Sequence, residues 1–127
     1  MKLIITMPSA LLLFAGSVLA IGPINCVGSA NCATVTCRVS DILAQANQLP
    51  DSNIYPPGQH IVCCGGPAAA DGLCAFTQNT SESISGARAK ELIQALANRG
   101  CTRCGRVPIE GNDVTQGEMT VNWVAQR

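Results

Sequence analysis

All eight cysteines of the chain fall between positions 26 and 104: Cys26, Cys32, Cys37, Cys63, Cys64, Cys74, Cys101 and Cys104. An even set at that density builds a disulfide framework in an oxidising compartment, and metal or redox sites in a reducing one. The start of the chain decides between them. The stretch MKLIITMPSALLLFAGSVLA carries Lys2, an apolar block from Leu11 to Leu19, and the small residue Ala20 at its end. A charged end, an apolar middle and a small-residue exit make a secretory signal peptide. A membrane anchor fits worse. The block is too short for about 30 Å of hydrocarbon, and Pro8 interrupts any longer run. The expected signal peptide is 1–20, with cleavage after Ala20. The remaining 127 − 20 = 107 residues, 21–127, make a single extracellular domain.

Composition narrows the partners and the kind of core. Loss of Lys2 leaves 8 − 1 = 7 basic against 8 acidic residues, a formal charge of −1. That balance argues against a nucleic-acid binder. Beyond the leader the aromatics are Tyr55, Phe76 and Trp123. The core is therefore aliphatic, with alanine and cystine, and a small core of that kind needs cross-links.

Periodicity supplies the elements. Thr34 to Val39 is rich in β-branched residues and reads as a strand. Ser40 or Asp41 can cap a helix in which Ile42, Leu43, Ala46 and Leu49 recur at helical spacing before Pro50 ends it. DSNIYPPGQ reads as a loop. HIVCCGG and LCAFTQ read as strands, and Asn79-Thr80-Ser81 is a glycosylation sequon in an exposed turn. SESISGARAKELIQALANRG is the clearest helix. Ser83 or Ser85 caps it, Ala89, Leu92, Ile93 and Leu96 line one face, and Gly100 follows its last turn. CTRCGRV and EMTVNWV read as strands, the second with Met119, Val121 and Trp123 on one face. Short strands with two separate helices predict an α+β sandwich, an antiparallel or mixed sheet with both helices on one face.

The residues give weak support to catalysis. His60 is the one histidine and lacks partners. The carboxylates Asp41, Asp51, Asp71, Glu82, Glu91, Glu110, Asp113 and Glu118 are scattered, and most lie in predicted turns or on solvent faces. No phosphate-cradling glycine pattern appears, and no cofactor is implied. Cys101-x-x-Cys104 follows a helix terminator instead of opening a helix, which argues against a redox centre. The adjacent Cys63-Cys64 has the wrong spacing to complete a zinc site, so no metal is expected. Cys101 and Cys104 are read as anchors of two different bridges. Cys63 and Cys64 are read as bonding elsewhere than to each other. Between 88 and 106, Arg88, Lys90, Arg99, Arg103 and Arg106 face Glu91 alone, a local charge bias that reads either as a solvated helix face or as a contact surface for an anionic partner.

GPINCVGSANC, SISGARAKELIQALANRGCTRCG and EGNDVTQGEMTVNWV together resemble the KP-four killer toxin family, whose founding member is encoded by a virus of the corn smut fungus. The resemblance spans most of the expected mature chain and fades between Val39 and His60. It implies a two-layer α/β sandwich, a mostly antiparallel sheet of about five strands with two helices packed on it, stapled by disulfides. It implies Cys26–Cys101 and Cys32–Cys104. That leaves Cys37 and Cys74 to share Cys63 and Cys64, in an unspecified pairing.

Three departures stand out. The toxin has ten cysteines, one of them at its carboxyl terminus, whereas this chain ends NWVAQR. Its second helix has a cysteine where Lys90 stands here, so the local framework around Cys37, Cys63, Cys64 and Cys74 is expected to differ. A lysine just before the cysteine matching Cys63 is implicated in block of voltage-gated calcium channels. Here HIVCC places Ile61 two positions before Cys63, with His60 the nearest basic candidate.

The resemblance implies a secreted toxin or fungal effector, a monomer that does not insert into the membrane. It would inhibit a competing fungus or host cells by binding a membrane protein of the target cell, a calcium channel in the founding member. His60, Arg88, Arg103 and Arg106 are the candidate contact residues, and Asn79 the candidate glycosylation site. Two other readings remain. Hydrophobins are also small, secreted and eight-cysteine, but need two adjacent cysteine pairs where this chain has one. A secreted inhibitor of an enzyme is the other.

Overall fold

The computed structural model describes residues 23–65 and 70–127. The expected leader, its cleavage point and Gly66 lie outside the described residues. The element order is α1 (Val39–Ala46), β1 (Ile54–Tyr55), β2 (Val62–Gly65), β3 (Gly72–Gln78), β4 (Ile84–Ser85), α2 (Gly86–Arg99), β5 (Gly105–Pro108) and β6 (Glu118–Val124), with 3-10 turns at Ala30–Thr34 and Val114–Gln116. This is an α+β fold.

The strands do not all join one sheet. Four form an antiparallel sheet in the order β2-β3-β6-β5, and β1 and β4 pair separately as a two-residue ribbon. The outer edge of β5 is met by Asn25 through a single antiparallel bridge to Arg106. Its two bonds, Asn25 N–H to Arg106 O at 2.9 Å and the reverse at 2.8 Å, cover the middle of an otherwise open edge.

Alternation divides the sheet into two faces. Val62, Leu73, Ala75, Met119, Val121 and Val107 share one face by register and are all buried. Both helices pack on the sheet and on each other, adding Val39, Ile42 and Ala46 from α1 and Ala89, Leu92, Ile93 and Leu96 from α2 to the same core. Ile42, Leu73, Ile93, Leu96, Met119 and Val121, all 0 % exposed, contribute about 2 kcal/mol each by burial. The opposite face carries Cys63, Cys74, Phe76, Arg106, Glu118, Thr120 and Asn122.

The start of α2 shows how the chain satisfies a helix end. Ser85 accepts the Arg88 N–H on its Oγ at 3.1 Å. The turn after Pro50 takes two more donors: Gly86 N–H to Asn53 O at 2.7 Å and Ala87 N–H to Asp51 O at 3.1 Å. Gly86 is required there, since a Cβ would stand 2.2 Å from Pro50 O. At the other end Gly100 adopts the left-handed conformation, φ +97°, and closes the last turn.

The strand expected at Thr34–Val39 is not present. Residues 30–34 turn as a 3-10 helix, and Val39 already begins α1. The Val39 N–H donates to Thr102 O at 2.8 Å, and the Asp41 carboxylate accepts the Arg38 N–H at 2.9 Å. Val35 and Val39, four apart, are both buried, so β-branching here serves packing beside a helix start and not a strand.

Candidate contact surface

Four disulfides join the cysteines: Cys26–Cys101, Cys32–Cys104, Cys37–Cys64 and Cys63–Cys74. The last two follow from alternation along β2. Cys63 lies directly opposite Cys74 in the β2–β3 register, on the face away from the helices. Cys64 points to the helix face and meets Cys37, two residues before α1.

The first two disulfides fasten the amino-terminal arm, residues 23–34, to the loop between α2 and β5. Further contacts fix the arm's path. Asn122 on β6 accepts the Ser29 N–H on its Oδ1 at 2.9 Å, and Ser29 Oγ accepts the Asn31 N–H at 3.1 Å to start the 3-10 turn. Gly28 passes where a Cβ would come within 2.6 Å of the Cys104 Cβ and 2.9 Å of Asn122 Oδ1. Between arm and loop opens a cleft of about 470 Å³. Cys26, Val27 and Ala33 line one wall, Gly100, Thr102 and Arg103 the other. Among the described residues Arg103 is the one charged residue of the lining. Its Nη1 donates to Ala33 O at 3.4 Å, and its Nε is buried without an acceptor among the described residues.

The remaining candidates do not gather around Arg103. Arg88 is held on α2 by Glu91, 2.9 Å away, and donates to Ile109 O. Arg106, on the sheet face away from the helices, stands 3.7 Å from Glu118. His60 is half-buried with its ring 5.5 Å from that of Phe76. Lys90 pairs with Asp51 at 2.8 Å. Three of the five cations between 88 and 106 thus meet carboxylates, Arg88 the local Glu91 and Lys90 and Arg106 the distant Asp51 and Glu118, and among the described residues Arg99 and Arg103 alone in that segment meet none. His60 also lies near Cys63 and Cys74, but those sulfurs are bonded to each other and offer no thiolate to a metal.

One carboxylate is buried: Glu118, which opens the strand predicted at EMTVNWV, is 2 % exposed. Its Oε2 accepts the Asn79 amide at 2.7 Å, while Oε1 has no hydrogen-bond partner among the described residues. Burial raises its carboxyl above the usual range, against the opposing pull of Arg106 and the Asn79 bond. The signal was available: Glu118 begins a strand whose Met119, Val121 and Trp123 take the helix face, which assigns it to the other face of a central strand. Asn79 itself adopts φ +58°, and its Nδ2, the atom a glycan would occupy, is the donor to Glu118.

The Kp4 family model matches residues 9–125 of the chain. The KP4 killer toxin of Ustilago maydis P4 virus is 36 % identical over 107 residues, covering 80 % of this chain and 79 % of the toxin. The chain belongs to the Kp4 family. In this Kp4 member the cleft lies where two of the four disulfides cross between arm and loop. Among the described residues no helix is long and apolar enough to cross a membrane.

Proposed function

We propose that this Kp4 member is a secreted killer-toxin-like protein or fungal effector. It inhibits the growth of competing or host cells by binding a target on their surface, a voltage-gated calcium channel, and it does so without catalysis. The family match across nearly the whole chain carries this reading. Support comes from a leader of secretory pattern at 1–20 and from four disulfides, which persist outside the cell. The domain 21–127 acts as a monomer on the outside of the target membrane. Secretion also brings the Asn79 sequon to the glycosylation machinery, where a glycan on Nδ2 competes with the bond to Glu118.

A film-forming surface role has less behind it. Among the described residues the exposed large hydrophobics are Val27 and Ile54, at 55 % and 62 %. Two residues do not make the extended apolar face that such proteins need.

Purified protein added to fungal and plant cells tests the reading. Growth should fall, and added calcium should restore it. Inhibition indifferent to calcium would remove the channel as target, and unimpaired growth of both cell types would remove the toxin reading itself.

A further inference from the structure

We infer that the doubly stapled cleft between the amino-terminal arm and the loop after α2 is a binding site for a carboxylate-bearing, apolar peptide segment of a cell-surface protein. This deepens the proposed function by naming the contact site and the chemistry it takes.

Charge gives the first argument. Among the described residues the cleft lining holds one charged side chain, Arg103, and no acidic one. The guanidinium sits in the wall with Nε shielded from water and unbonded, while its Nη1 makes one long bond to Ala33 O. No carboxylate pairs with the guanidinium among the described residues, so a carboxylate entering the cleft can take a charge-assisted bond from its terminal nitrogens. The backbone N–H groups of Thr102 and Arg103 also find no acceptor among the described residues, and both residues line the cleft. Arg99, exposed on the last turn of α2, offsets the negative end of that helix where it abuts the site.

Shape and apolar surface give the second. Val27, more than half exposed, stands on the rim, with Ala30, Ala33 and the two disulfides beside it. An arginine next to an exposed aliphatic anchor suits an acidic residue flanked by an apolar one. A bare anion would leave Val27 unused. Preorganisation is the third argument. Cys26–Cys101 and Cys32–Cys104 fix both walls, and Asn25, Gly28 and Ser29 lock the arm to β5, Cys104 and Asn122, so little ordering remains to be done on binding.

The test is an NMR titration of ¹⁵N-labelled protein with acetyl-Leu-Glu-amide and with acetyl-Leu-Gln-amide. The Glu peptide should shift amides of residues 26–33 and 100–104, and bind about tenfold more tightly than the Gln peptide. Arg103→Gln should erase that preference with the rest of the spectrum unchanged, Arg103→Lys should keep part of it, and Val27→Ser should weaken both peptides alike. Equal binding of the two peptides, equally strong displacement by inorganic phosphate, or no shift at about 10 mM peptide would overturn the inference. The titration reads no toxicity. A protein that binds the peptide yet leaves cells unharmed refutes the toxin reading and keeps the site; a toxic protein whose cleft ignores both peptides refutes the site alone.

Discussion

Glu118 pits burial against partners. Its carboxylate sits on a central strand at 2 % exposure, with Arg106 at 3.7 Å and the Asn79 amide on one oxygen. Burial is the largest effect and Arg106 the next, so the folded carboxyl titrates above its ordinary value. Between that ordinary value and the raised one, the folded chain holds a proton that the unfolded chain has released. Stability therefore falls as pH rises through this window. Glu118→Gln keeps the shape and the acceptor for Asn79 but cannot ionise. Urea unfolding midpoints between roughly pH 4 and 7 should decline with pH in the native protein and stay flatter in the variant. An equal slope in both would assign the pH dependence to other groups. Asp113 differs in kind: it accepts the Thr115 hydroxyl and N–H, and these bonds hold its carboxyl below the usual range.

At the scale of elements, α2 stands on its own cap and on the turn beneath it. Ser85→Ala removes one acceptor from the helix start and should cost about 1 kcal/mol. Gly86→Ala should cost more, about 2–3 kcal/mol, because its Cβ would meet the backbone oxygen of Pro50 at 2.2 Å and a backbone cannot turn aside like a side chain. Chemical denaturation of both variants checks the order; a Gly86→Ala protein as stable as the native one would contradict the packing described. The helix was legible in the sequence because its cues are local: Ser85, four apolar residues at helical spacing, and Gly100. The strand Glu118–Val124 was legible for the same reason, through alternation. The ribbon of Ile54–Tyr55 with Ile84–Ser85 was not, since two residues carry no period and their partners lie far along the chain. At Thr34–Val39 β-branched composition does not make a strand, because the disulfide at Cys37 and the bond to Thr102 set the path of the chain.

For the whole molecule, covalent closure dominates. Cys26–Cys101 ties residues 75 apart, a closure worth about 4.5 kcal/mol in the chain-entropy model, comparable with the net stability of a small domain. The cleft was invisible in the sequence because its walls lie some seventy residues apart and meet only through this closure. The scatter of Arg88, Arg103 and Arg106 has the same origin: neighbours along the chain are sent to a helix, a loop and a sheet face. The central claim is thus that the arm is stapled twice to the loop after α2. Trypsin tests it well, since cleavage after Arg99, Arg103 and Arg106 leaves Cys101 and Cys104 on separate short peptides. In a non-reduced digest of the exported protein, mass spectrometry should find both peptides tethered to the segment ending at Arg38 and released together on reduction. Either peptide appearing free, with an unmodified thiol, before reduction would contradict the account.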